Sequence, residues 1–243
     1  MENSSRKESQ PMNQNSEKKK AVLSVSGLSR TYHSGGETCQ ALKDVSFTVR
    51  NGEFVAIQGR SGSGKTTLFN ILSGLDDSYE GYCEVCGEML HGLSEKQRSD
   101  FRLDHLAVIF QNFNLMESLT VEENLRLQAD LKHIPIPDDL FQRALQTLEL
   151  QEKCNVYPSS LSGGQKQRTA IGRALLCHAD LILADEPTGN LDAANAQKIV
   201  DLFKKAKKLN KTVLMVTHDE TLARQADRIL ILDDGRLISD SSK

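Results

Sequence analysis

Residues Gly59 to Thr66 read GRSGSGKT, which fits the pattern G-x-x-x-x-G-K-[ST]. The chemistry of such a run is phosphate binding. Gly59, Gly62 and Gly64 let backbone N–H groups turn inward around anionic oxygens, and Arg60, Ser61 and Ser63 contribute backbone to the same turn. Lys65 reaches the outer phosphates, the Thr66 hydroxyl can ligate Mg²⁺, and Thr67 sits in the first turn of a helix whose positive end adds to the attraction. The pattern arises by chance in about one chain in a hundred of this length, so its surroundings matter. Here it lies between an apolar strand and a helix, as the chemistry needs.

Two further groups extend that chemistry. In LILADE, Leu181 to Glu186, an apolar strand brings Asp185 to a sheet edge, where it can hold Mg²⁺ through water. Glu186 then stands one residue nearer the terminal phosphate, as a base or a water-orienting group. An acidic pair after a strand is weak alone; beside the glycine loop it describes nucleotide hydrolysis. Further on, Ser162-x-x-Gln165 fits a capping box that opens QKQRTAIGRALL. The free N–H groups of Gly163 and Gly164 at that helix start form a second anion receptor, with no obvious second phosphate in its own chain.

The elements that must carry these groups follow from patterning. AVLSVSGL, DVSFTV and EFVAI read as strands, the last after an Asn51-Gly52 turn, and suggest an antiparallel sheet leading into a buried strand. From about 112 to 176 the chain reads as helical. Thr120-x-x-Glu123 caps EENLRLQADL, Pro135 and Pro137 end that helix, and DDLFQRALQTLEL follows. Then LILADEP and TVLMVTH read as buried strands around the amphipathic helix AANAQKIVDLFKKAKKL. ETLARQAD is a short helix, and RILILDDGRLI a hairpin about Asp234-Gly235. Apolar strands alternating with helices predict an α/β fold with a largely parallel sheet covered on both faces.

Composition narrows the partners. The 243 residues carry a formal net charge of -3, so overall charge does not steer the chain toward nucleic acid. The run Lys204, Lys205, Lys207, Lys208 lies on an amphipathic helix and reads as a solvated face, so no nucleic-acid partner is expected. Apolar runs are strand-sized, far below the roughly 18 residues that a membrane crossing needs. Residues 1–20 are polar, lack a signal-like apolar stretch, and are expected to be disordered, which points to the cytosol. Five scattered cysteines do not make a disulfide framework. Cys83 and Cys86 form a C-x-x-C on a short strand ending at Gly87, where packing is favoured over metal or redox use.

LSGGQ, Leu161 to Gln165, is the most specific segment, and with the motifs above it resembles the nucleotide-binding subunits of ABC transporters over about Val22 to Ile238. The resemblance implies a P-loop NTPase (RecA-like) core with an antiparallel β subdomain and an inserted helical subdomain at about 112–176, all within one domain, 21–243. It implies ATP and Mg²⁺ as ligands. Tyr32 resembles the aromatic that stacks on adenine, and Gln111 the glutamine joining the Mg²⁺ site to the helical lobe. Asp192 resembles the aspartate of the loop crossing between protomers, and His218 the histidine that contacts the terminal phosphate. By the same resemblance the chain forms a head-to-tail homodimer, in which Ser162, Gly163, Gly164 and Gln165 of one copy meet the ATP held by the other. That dimer would drive a separately encoded membrane permease from the cytoplasmic face, docking near the groove between Gln111 and the helical lobe. SGLDDSYEG, FNLMESLTVEEN and DEPTGNLD look most like the lipoprotein-release, macrolide-export and antimicrobial-peptide-resistance group. Arg60 departs from the proline or asparagine more usual at its position, which contributes backbone only. A regulatory switch that signals across the membrane without transport is the alternative.

Overall fold

A computed structural model describes residues 20–242, so nearly all of the lead-in expected to be disordered lies outside the described residues. Two sheets organise the molecule. The larger runs β10-β9-β3-β8-β7-β6, built from β3 (Phe54–Gln58), β6 (Leu106–Ile109), β7 (Leu181–Asp185), β8 (Thr212–Thr217), β9 (Arg228–Asp233) and β10 (Arg236–Ser242). All its pairings are parallel except β9 with β10. The smaller is antiparallel, in the order β2-β1-β4-β5, from β1 (Ala21–Ser34), β2 (Glu37–Arg50), β4 (Glu80–Val85) and β5 (Glu88–Met89).

The near-continuous apolar strands have a direct cause: both faces of the parallel sheet are covered, and alternate side chains feed different cores. Phe54, Ala56, Ile182, Ala184, Val213 and Met215 enter one cluster. That cluster also holds residues of α3 (Val121–Leu131), α4 (Asp138–Leu148), α5 (Gly163–Leu176) and α6 (Ala193–Lys208). Val55, Ile57, Leu181, Leu183, Leu214 and Val216 enter the other, with α1 (Lys65–Leu72) and the antiparallel sheet. A last short helix, α7 (Glu220–Ala223), precedes β9.

The structure extends the sequence reading in three places. β1 and β2 run well past AVLSVSGL and DVSFTV and meet at a Gly35-Gly36 turn with φ of 56° and 87°. The outer half of that ribbon is largely exposed, so ladder hydrogen bonds and the turn hold it, with no apolar alternation to announce it. The helix α2 (Glu95–His105) buries only Phe101, and β6 is four residues long, so neither carried a readable period. The signal available for α2 was its Ser94–Gln97 capping box. β4 stops at Val85, and Cys86-Gly87 makes a left-handed turn. Burial pushes both the Cys83 and Cys86 thiols up to about 12, so both remain protonated at neutral pH, and both are free.

One buried side chain anchors the segment between β6 and α3. Asn124, fully buried, accepts from the Met116 N–H at 2.9 Å and donates to the carbonyls of Met116, Leu119 and Thr120, each at 3.0 Å. The loop thus closes on the first turn of its own helix without apolar burial. Replacing Asn124 by Ala orphans those groups in a dry site, and urea unfolding is expected to show a loss of about 2–3 kcal/mol.

Candidate functional site

A cavity of ≈ 1070 Å³ opens at the carboxyl edge of the parallel sheet. One wall is the glycine loop: Gly59, Arg60, Ser61, Gly62, Gly64, Lys65, Thr66 and Thr67 all line it, with Gln111, Glu186 and His218 nearby. Ser63 is buried behind that wall, and its Oγ has no partner. Gly64 adopts φ 100°, and a Cβ there would sit 2.4 Å from the Ala41 carbonyl oxygen, so no larger residue fits without moving backbone. Lys65 is nearly buried, its Nζ donating to the carbonyls of Gly59 at 2.9 Å and Arg60 at 2.8 Å. The loop is braced from outside: Gly235 N–H donates to the Ser63 carbonyl at 3.0 Å, Lys43 N–H to the Gly235 carbonyl at 2.8 Å, and Lys43 pairs with Asp234 at 2.7 Å.

The acidic pair sits at the end of β7. Glu186 holds a left-handed backbone, φ 45°, fixed by its N–H donating to the Val216 carbonyl at 2.9 Å. Its Oε2 accepts from His218 Nδ1 at 2.8 Å and from the His218 N–H at 3.3 Å. The carboxylate is mostly enclosed while the imidazole is 65% exposed. Asp185 lies deeper, with Oδ1 buried and unpartnered. Burial first, and the neighbouring Glu186 second, push its carboxyl above the usual carboxylate range, against the opposing pull of Lys65.

That orphaned oxygen tests the expected metal site. Thr66 of α1, Gln111 in the turn after β6 and Asp185 of β7 offer hard oxygens. Among the described residues, no group of three or more His, Cys, Asp or Glu could hold an ion by itself. This set fits Mg²⁺ completed by phosphate oxygens and water, and does not form a self-sufficient protein cage.

The structure does not bring every expected residue to this cavity. Tyr32, Ser162, Gly163, Gly164, Gln165 and Asp192 do not line it, and Asp185 lies behind Glu186 without reaching its surface. Ser162 caps α5 as read, its Oγ accepting from Gln165 N–H while the Gln165 side chain accepts from Ser162 N–H. Asp192 caps α6, accepting from Asn195 N–H at 2.9 Å and from the Asn195 side chain at 2.8 Å. Asn195, absent from the sequence reading, joins the two: it accepts from Arg168 at 3.3 Å and lies where a Cβ on Gly164 would approach it to 3.0 Å. The sequence reading also missed the part of the lining that packs beside the glycine loop, formed by Cys39, Gln40 and Ala41 of β2 and by the β9–β10 hairpin. Its only signal was the Asp234-Gly235 turn.

Asp185 supplies a stability prediction with a definite sign. A carboxyl whose folded pKa lies above its unfolded value loses stability as pH rises, because the unfolded chain ionises first. The cost is absent below the unfolded value and complete above the folded one. Asp185→Asn is therefore expected to raise the melting temperature of ligand-free protein at pH 7.5, measured by scanning fluorimetry, with the advantage narrowing as pH falls toward about 4.

Comparison with known proteins agrees with this architecture. The profile of the family described as ABC transporter matches residues 42–189. The chain is 37% identical over 226 residues to the bacitracin export ATP-binding protein BceA of Halalkalibacterium halodurans, covering 92% of this chain and 89% of that one. It is 40% identical over 225 residues to the macrolide export ATP-binding/permease protein MacB of Aggregatibacter actinomycetemcomitans, covering 91% of this chain and 35% of that one. The chain thus spans about a third of the length of its macrolide-export relatives. Among solved structures, the ATP-binding cassette MJ0796, as a dimer in a post-hydrolysis state bound to ADP and Pi, superposes with a TM-score of 0.82. That match is 37% identical and covers 90% of this chain and 98% of that one. With a glycine loop, acidic strand end and capped LSGGQ helix set on a P-loop NTPase fold, the chain belongs to the ABC transporter family, as an ATP-binding cassette.

Proposed function

We propose that this chain is the ATP-hydrolysing subunit of an ABC exporter, in which two copies close around two ATP molecules and drive a membrane permease carried on a separate polypeptide. Export, extraction or peptide resistance is the work expected of it, at the cytoplasmic face of the membrane. One observation carries the catalytic part: Glu186, fixed by His218 and Val216, faces the same cavity as the glycine loop and Lys65.

Each residue has a definite task on this reading. Lys65 exchanges its bonds to the Gly59 and Arg60 carbonyls for phosphate oxygens, guided by the inward N–H groups of the loop. Glu186 orients a water on the terminal phosphorus and takes its proton as the new P–O bond forms and the bond to the ADP oxygen breaks. Because the Glu186 oxygen accepts, His218 Nδ1 carries the proton of that contact, which fixes the glutamate's direction. Mg²⁺ held by Thr66, Gln111 and Asp185 would neutralise charge developing on the phosphoryl oxygens. Tyr32 offers the adenine its ring.

The dimer follows from what the cavity lacks. Gly163 is exposed and Gly164 buried at a helix start whose first turn holds no acidic residue, and neither lines the chain's own cavity. An anion receptor so placed meets phosphate only when another copy brings it, and a head-to-tail pair lets both copies do so at once. The dimeric state of the similar MJ0796 cassette supports this arrangement. For the separate permease, support comes from the BceA relative, which is described as an ATP-binding protein and of which this chain covers 89%.

Glu186→Gln decides the reading. ATP affinity is expected to stay within about twofold, hydrolysis to fall by about 10² or more, and an ATP-dependent dimer to persist in size-exclusion chromatography. Hydrolysis at the wild-type rate would overturn it.

A further inference from the structure

We infer that Arg30 and Asp76 are positioning residues that hold Tyr32 as a rigid, one-sided platform for the nucleotide base. The inference rests on the proposed stacking of adenine on Tyr32. Tyr32 is the register partner of Cys39, which lines the cavity, and directly opposed residues of an antiparallel pair project from the same face. Tyr32 thus shares a sheet face with a cavity-lining residue, and it is 38% exposed.

Its freedom is removed from behind. The Arg30 guanidinium carbon lies 4.2 Å from the ring centroid, so one aromatic face is already covered by a cation. Arg30 Nε donates to Asp76 Oδ2 at 2.9 Å, and the Tyr32 hydroxyl donates to the same oxygen at 3.0 Å. Asp76 is itself fixed where the chain leaves α1, its other oxygen accepting from Ser78 N–H at 2.9 Å. The Arg30 and Asp76 side chains are only 18% and 15% exposed, which protects their contact from solvent screening. An aromatic ring tied at its hydroxyl and covered on one side has a single face left to offer. A base arriving there loses little further side-chain freedom, and the cation behind the ring draws π density away from the stacking face.

The test separates base from phosphate, using ADP and pyrophosphate as unhydrolysed probes in titration calorimetry on the full chain. Arg30→Met keeps the stem and removes the charge; it is expected to weaken ADP about fivefold and leave pyrophosphate unchanged, with Arg30→Lys in between. Asp76→Asn is expected to weaken ADP about two- to threefold with the same selectivity. Tyr32→Leu, which probes the underlying reading, is expected to weaken ADP by about tenfold. If Tyr32→Leu weakens ADP while Arg30→Met does not, or tightens it, the inference falls and the adenine reading stands. Equal weakening of ADP and pyrophosphate by Arg30→Met makes Arg30 a general structural residue and also overturns the inference. If Tyr32→Leu leaves ADP unchanged, both fall together.

Discussion

Parallel pairing of β6, β7, β8, β3 and β9 brings five carboxyl-terminal strand ends to one edge of one sheet. Parallel ladders require each return to be made through a crossover, so the helices are forced onto the two faces and the loops onto that edge. The site is assembled from the residues that leave each strand end. Gly59 comes after β3, Gln111 after β6, Glu186 after β7, His218 after β8, and the Asp234-Gly235 turn after β9. These five positions are far apart in sequence, and the register of hydrophobic strands alone sets their spacing. Burial of Val55, Ile57, Leu183 and Val216 on one face and Ala56, Ala184 and Met215 on the other is therefore as much a part of the chemistry as the polar groups are.

The edge concentrates opposing charge, part of it buried. Asp185 and Glu186 are adjacent carboxylates, and Asp185 keeps one oxygen buried without a partner. Lys65 stands opposite but directs its hydrogen bonds to its own loop. Each side is thus held short of its natural partner, and a polyphosphate with a divalent cation would complete both at once. A site of this kind has more to gain from its ligand than one whose polar groups are already satisfied among themselves.

Much of this was legible in the residues. The glycine loop, the acidic strand end and the cap at Ser162 each have a local cause that spacing reveals, and each appears where it was read. What escaped was whatever depends on a distant neighbour. The cavity wall at Cys39–Ala41 exists because the β9–β10 hairpin folds against β2, contacts made across nearly two hundred residues. Asn195 looks like an ordinary polar residue of a helix first turn until Gly164 and Arg168 are seen beside it. α2 was hidden for the opposite reason: too little of it is buried to leave a period in the sequence.

The backbone at Glu186 has a wider meaning. A non-glycine residue in the left-handed region costs about 1–2 kcal/mol, and here the cost is offset by contacts from β8 and His218 that require no reactant to form. The base of the proposed mechanism is thus already held in place in the ligand-free chain. On the proposed two-copy reading, control falls to whatever regulates the meeting of the copies, and tempo belongs to the assembly rather than to the subunit.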